Sequence, residues 1–406
     1  MRRRMLVIGI MQRIESLGHL PWFQGRQRVR RLIQGSLLAA VLVGAALPAE
    51  AIPYFARKYG QRCSGCHSLP PQLNERGLRF VANGYRLAEL GAASRTWPFA
   101  LWITERVEAN QETGRAKGFP SRVEVISSDS LNPWLSYFVE WRVVSYSATA
   151  TQRLSHRNGR FEDAFLLMQA PGRLSFAVGQ FRMLNQWDVS RRLSLSEPLA
   201  LSAGVAGLPS SRARLQSLRT FSLAGRAPAL RATWRARAVE SPADGWFHEF
   251  TLPFTGELSI PLGAEGDRNA SMELEMRPKG FLYETYYRTG LSSLGGALFV
   301  GNERWLANAT GTLSLGNNHF LATIGTAKSR QGLHDFRLSV GDTWVPRPWF
   351  AAGARLDHQS ARRLRPAFLP HLNFSFPGTR FTFLVTIEQR IQKNNIGSAV
   401  ELSAVF

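Results

Sequence analysis

The chain has 406 residues, 44% of them hydrophobic and 11% aromatic, with 19% charged and a formal net charge of +21. So basic a balance often marks a nucleic-acid partner, but here the arginines are scattered and the leader sends the chain out of the cell, which excludes that function. Past Ala51 no apolar run reaches the ~18 residues of a spanning helix, so no helix crosses a membrane.

Residues 1–51 read as an export signal. Arg26, Arg28, Arg30 and Arg31 precede an apolar run from Ser36 to Ala49, which closes on Ala49-Glu50-Ala51. A basic region, a short apolar region and an A-x-A site place cleavage after Ala51. The stretch before Arg26 is long for such a signal. It is either a true extension or a start codon assigned too early.

Residues 52–97 form a short, loop-rich module with Pro53, Pro70, Pro71 and Gly77. Glu75 to Ala82 reads as its helix, with Asn74 as the cap and Asn83-Gly84 as the stop. From Trp97 onward the hydrophobic period changes to two, so residues 98–406 read as strands. Phe383, Val385 and Ile387 alternate with Thr382, Thr386 and Glu388, and pair across Pro377-Gly378-Thr379 with Leu372, Phe374 and Phe376. Leu135, Tyr137, Val139 and Trp141 oppose Ser136, Glu140 and Arg142, while Phe336, Leu338 and Val340 oppose Arg337 and Ser339.

Such hairpins suit either a soluble sandwich or a membrane barrel. Strands of ~10 residues favour the barrel, as do the tryptophans at strand ends (Trp97, Trp134, Trp305, Trp344, Trp349). A closing strand that ends on Phe406 points the same way. At ~20 residues per strand and turn, the expected fold is mainly β, an outer-membrane barrel of about 14–16 antiparallel strands behind a small N-terminal α/loop module. Asn185 to Leu223 alternates poorly and reads as a long loop, one that the lumen could take in.

The only two cysteines are Cys63 and Cys66, followed at once by His67. A disulfide across two residues would close almost no loop. A thioredoxin-like pair wants a βαβ context, and half a zinc site wants two further ligands nearby. Cys-x-x-Cys-His is the attachment site of c-type haem, with Cys63 and Cys66 as covalent anchors and His67 as the proximal iron ligand. One covalent haem c is therefore expected, in a c-type cytochrome module spanning residues 52–97. The distal ligand comes from the barrel, is an unusual group, or is missing, because no methionine lies between Met11 and Met168 and His67 is the only histidine of the module. Met183 is the first choice among Met168, Met183, Met272 and Met276. Arg142, Arg288 and Arg337 are candidates for compensating haem propionates, or plain lumen charges.

Phe55-Ala56, Gly60, the Cys-x-x-Cys-His, Pro71, Leu73-Asn74, Gly77, Phe80 and Asn83-Gly84-Tyr85 together resemble the haem module of the fused monohaem cytochrome–porins. These bacterial outer-membrane proteins include iron oxidases. Beyond Trp97 the resemblance is one of architecture. It implies an electron conduit from an extracellular donor, Fe(II) foremost, through the single haem to a periplasmic cytochrome, and hence an Fe(II) oxidase in an outer membrane. Two other readings stay open: a basic porin for anions whose haem is structural or regulatory, and a haem enzyme of the peroxidase kind. No Ser/His/Asp set, paired-carboxylate motif or phosphate loop marks catalytic residues.

Overall fold

The computed structural model describes residues 54–87, 98–110, 115–148, 154–156, 159–170, 173–184, 193–195, 198–201, 226–236, 243–254, 278–301, 304–329, 334–360, 364–377, 382–392 and 395–405. The export signal, Trp97, Met272, Met276, Phe406 and most of 185–223 lie outside them.

The N-terminal segment holds α1 (Tyr54–Tyr59), a 3-10 turn at Cys63–Gly65, a small hairpin of β1 (His67–Leu69) and β2 (Gln72–Leu73), and α2 (Glu75–Ala82). The bounds of α2 are those expected, and its cap is Asn74, whose side chain accepts the Gly77 N–H at 3.0 Å.

The wall begins with β3 (Phe99–Asn110), β4 (Arg115–Asn132), β5 (Leu135–Ala148), the short β6 (Leu154–His156), β7 (Arg160–Gln169) and β8 (Leu174–Arg182). It continues with β9 (Arg226–Arg235), β10 (Gly245–Pro253), β11 (Gly280–Thr289), β12 (Ser292–Gly301) and β13 (Arg304–Leu315). The remaining strands are β14 (Asn318–Ser329), β15 (His334–Arg347), β16 (Phe350–Gln359), β17 (Leu364–Pro377), β18 (Thr382–Gln392) and β19 (Asn395–Val405). Every neighbouring pair is antiparallel, and β19 returns to β3 to close the barrel. Apart from β6, which pairs only with β5, the described strands make a ring of sixteen.

Alternation decides which face meets what. On β17, Leu372 and Phe376 are 40% and 42% exposed, whereas Asn373 and Ser375 are 2% and 0% exposed. The two strands pair as expected, but Pro377 belongs to the strand and faces Thr382, so the turn lies beyond it; Leu372 faces Ile387, Asn373 faces Thr386, and Phe374 faces Val385. The same outward apolar row runs around the ring through Phe176, Leu230, Phe281, Leu298, Ile324, Phe336 and Leu356. A closed barrel leaves no strand edge, and a belt of this kind faces hydrocarbon, so the protein spans an outer membrane. No described helix is long and apolar enough to cross one.

The lumen is not uniformly polar. Inward positions from β8 to β14 carry Phe181, Leu282, Phe299, Leu306 and Leu321, which bury one another together with Met183, Leu184 and Leu201. The connection between β8 and β9 enters here: Leu199–Leu201 packs on β14 to β16, and the Ala200 N–H donates to Ser339 Oγ at 3.1 Å. Leu201 of that connection, with Met183 and Leu184 at the end of β8, packs on these walls.

At one end β4–β5, β11–β12, β13–β14 and β15–β16 each connect through two residues; the other end also has two such links, β12–β13 and β18–β19, but carries the long connections β8–β9 and β10–β11. Short turns face the periplasm in such barrels. The N-terminal segment lodges in that mouth and touches the wall around its circumference. Tyr54 and Lys58 both bond Asp129. Ser136 Oγ donates to Gly84 O at 2.8 Å, and Gln169 Nε2 donates to Ala82 O at 2.6 Å. Leu69 packs on Val345, Ala351 and Leu193, and Leu78 on Ala243. Gly84, at φ +66°, allows this approach, since a Cβ there would lie 2.4 Å from Gln169 Oε1.

Candidate functional site

Between the N-terminal segment and the wall lies a cavity of about 780 Å³, within the range of ligand pockets. Its floor is the cysteine turn. Cys63 opens the 3-10 turn, and the Cys66 N–H bonds back to Cys63 O at 3.1 Å. Asn74 ties that turn to the helix, because its Nδ2 reaches Ser64 O and Gly65 O, both at 3.3 Å. Gly77 lets α2 rest on the turn: a Cβ there would stand 2.2 Å from Cys66 O. His67 Nδ1 donates to Pro71 O at 3.1 Å, which sets the tautomer, since a carbonyl can only accept. Cys63 Sγ sits 3.4 Å from Thr382 Oγ1 on the wall.

One side of the cavity is aromatic. Phe55 stacks on Tyr85 at 5.8 Å, Tyr85 on Phe138 at 5.6 Å, and Phe138 on Phe165 at 5.7 Å, so the rings continue from module to wall. Tyr85 takes φ 62°, a region that bulky residues seldom enter. Its N–H on Phe80 O at 2.9 Å and its two stacked faces hold it there. Burial, joined by the hydrogen bond to Asp129, pushes the Tyr54 phenol well above its ordinary pKa, so it stays a donor.

The lining is also cationic. Arg62, Arg86, Arg173, Arg182, Arg231, Arg235 and Arg288 line the cavity, against the carboxylates Asp163 and Glu249. Arg231 lies 4.5 Å over the Phe181 ring and donates to Arg182 O at 2.6 Å and Thr251 Oγ1 at 3.1 Å. Glu249 is shared by Arg231 at 3.5 Å and the Tyr286 hydroxyl at 3.1 Å. Arg288 sits 5.1 Å over Tyr286 and 5.9 Å over Phe247.

The residues expected from sequence separate. Cys63, Cys66, His67 and Arg288 share the cavity. Met183 does not line it: at 1% exposed it packs among Phe181, Leu184 and Leu201. Met168 faces outward at 37% exposed. Arg142 is taken by Glu124 at 2.6 Å and Glu162 at 2.9 Å, and Arg337 by Asp335. Arg231, Arg235, Phe138 and Phe165 were missed. Phe138 shares the parity of Ser136 and Glu140, so alternation alone could have turned it inward.

No family model and no curated protein sequence matches the chain. Among solved structures it is similar to the anion-selective porin of Comamonas acidovorans, at 12% identity and TM-score 0.47, covering 76% of this chain and 98% of that one. It is also similar to Pseudomonas putida OprB, at 10% identity and TM-score 0.41, covering 76% and 92%. Outer-membrane expressed OmpT of Vibrio cholerae, at 9% identity and TM-score 0.40, covers 77% and 99%.

The fused cytochrome–porin assignment is corrected to the coarser one that the closed ring of strands carries, an outer-membrane β-barrel of sixteen strands. Among the described residues no group of three or more His, Cys, Asp and Glu could hold a metal ion. The methionine favoured as distal ligand is core packing, and two of the three propionate candidates are bound by carboxylates. The haem c cofactor, the Fe(II) donor, the periplasmic cytochrome acceptor and the conduit or oxidase built on them are corrected accordingly.

Proposed function

We propose that the chain is a basic outer-membrane porin-type protein that admits small anionic solutes to a lumenal site. In this reading residues 1–51 are the export signal, 98–406 the barrel, and 52–97 a small α/loop module that floors the lumen at its periplasmic mouth. Cys63, Cys66 and His67 are assigned as solute-facing groups of that floor.

The observation that carries the reading is the cavity lining, seven arginines against two carboxylates. Fixed positive charge between low-dielectric walls focuses the field and concentrates anions. The test is reconstitution of the purified protein in planar bilayers under a potassium chloride gradient. A reversal potential of the sign for chloride preference is expected; cation preference would refute the reading. A haem-stained denaturing gel is the second arm. A stained band that disappears in the Cys63→Ala, Cys66→Ala double variant would overturn the correction above and restore a cytochrome.

A further inference from the structure

The cavity is not built for a bare inorganic anion. Its aromatic side presents Phe55, Tyr85, Phe138 and Phe165 as a continuous set of stacked rings. Its arginines include Arg231 and Arg288, each laid over an aromatic ring, and the ring under Arg231, Phe181, is edge-on to Phe165 at 5.8 Å. A hydrated chloride would make no use of the apolar ring surface in the lining, and a neutral hydrocarbon would make no use of the guanidinium groups.

We infer that the cavity binds aromatic carboxylates, planar acids whose rings pack against the aromatic lining around Phe138 and Phe165 and whose carboxylate meets the lining arginines. This rests on the anion reading above and narrows it to a solute class. Arginine suits a planar carboxylate because its fork offers two parallel N–H donors. The volume of about 780 Å³ accommodates a fused-ring acid together with its hydration. Arg288 is the residue to test, because Arg231 is committed to the Arg182 and Thr251 oxygens.

The experiment measures block of the chloride current by 2-naphthoate, in the same bilayers and with the full-length protein. Acetate and 2-naphthylmethanol serve as probes lacking the ring and the charge. Naphthoate is expected to block at concentrations at least about tenfold lower than either. Arg288→Gln is expected to raise its half-blocking concentration about tenfold, the loss of one charge-assisted hydrogen bond. Phe138→Leu, which keeps an apolar wall, should raise it severalfold through lost aromatic contact. Equal block by all three probes, or no response to either variant, would overturn the inference. The reversal potential is read in the same trace, so retained chloride preference without naphthoate selectivity ends this inference and spares the porin reading.

Discussion

Placing an arginine on the outer face tests the barrel's orientation, and the structure fixes how much it should cost. Ile324 lies on β14, 48% exposed, between Ala309 on β13 and Leu338 on β15. The lower end of this strand is Asn318, paired with Trp344, a tryptophan at the level where such side chains meet headgroups. From Asn318 to Ile324 the chain rises about 20 Å at ~3.4 Å per residue, or about 15 Å along the normal at a tilt near 40°. In an apolar band about 25 Å tall that position is close to the midplane. Ile324→Arg should therefore cost about 2–4 kcal/mol. Leu315 is on the same face, 56% exposed, but pairs with Asn318 at the short-turn end, and Leu315→Arg should cost about 0–1 kcal/mol. The assay is urea-dependent folding into vesicles, followed by the mobility of the folded band on unheated gels. Equal costs at the two positions would refute the lipid-facing assignment of this row.

Two further outcomes concern the module in the mouth. Asn74→Ala should loosen the cysteine turn by about 1 kcal/mol, as loss of a helix cap does, and Gly77→Ala by about 1–3 kcal/mol through overpacking on Cys66 O. Maleimide labelling of Cys63 and Cys66 in the folded protein should quicken in both variants, more in Gly77→Ala; unchanged rates would show that Asn74 and Gly77 do not hold the turn. The Tyr54 anchor should be insensitive to pH over the neutral range. Its folded pKa is raised above the unfolded value near 10, so its contribution is complete below that value and is lost only as pH rises toward the folded one. Labelling rates that change sharply between pH 6 and pH 9 would contradict this, provided a Tyr54→Phe control does not change in the same way.

Alternation makes the wall legible in the residues themselves. Because side chains on a strand flip faces at every residue, the apolar faces of Leu372 to Phe376 and Phe383 to Ile387 follow from pattern alone, while the register that sets Leu372 against Ile387 depends on a turn beyond Pro377. The helix Glu75–Ala82 is equally local, since a cap and a Gly stop act within one turn. The lumen is not legible in this way. Period two says which residues point inward but not which strands lie across from them, so Phe138 and Arg231 could not be brought to one cavity from sequence. Met183 shows the converse. A lone methionine near a loop looks like a free ligand until the inserted loop's Leu201 and the wall's Phe181 close over it.

The cysteine pair is the point at which the two kinds of information differ in reach. Spacing alone dictates that Cys63, Cys66 and His67 sit together, because a three-residue turn cannot separate them. The surroundings of that turn depend on contacts more than fifty residues apart, Gly84 with Ser136 and Cys63 with Thr382. Such long-range pairings arise only when the ring closes, with β19 against β3. Closure turns scattered arginines into one lining, and so the cavity's charge is a property of the tertiary fold while its floor is a property of the chain.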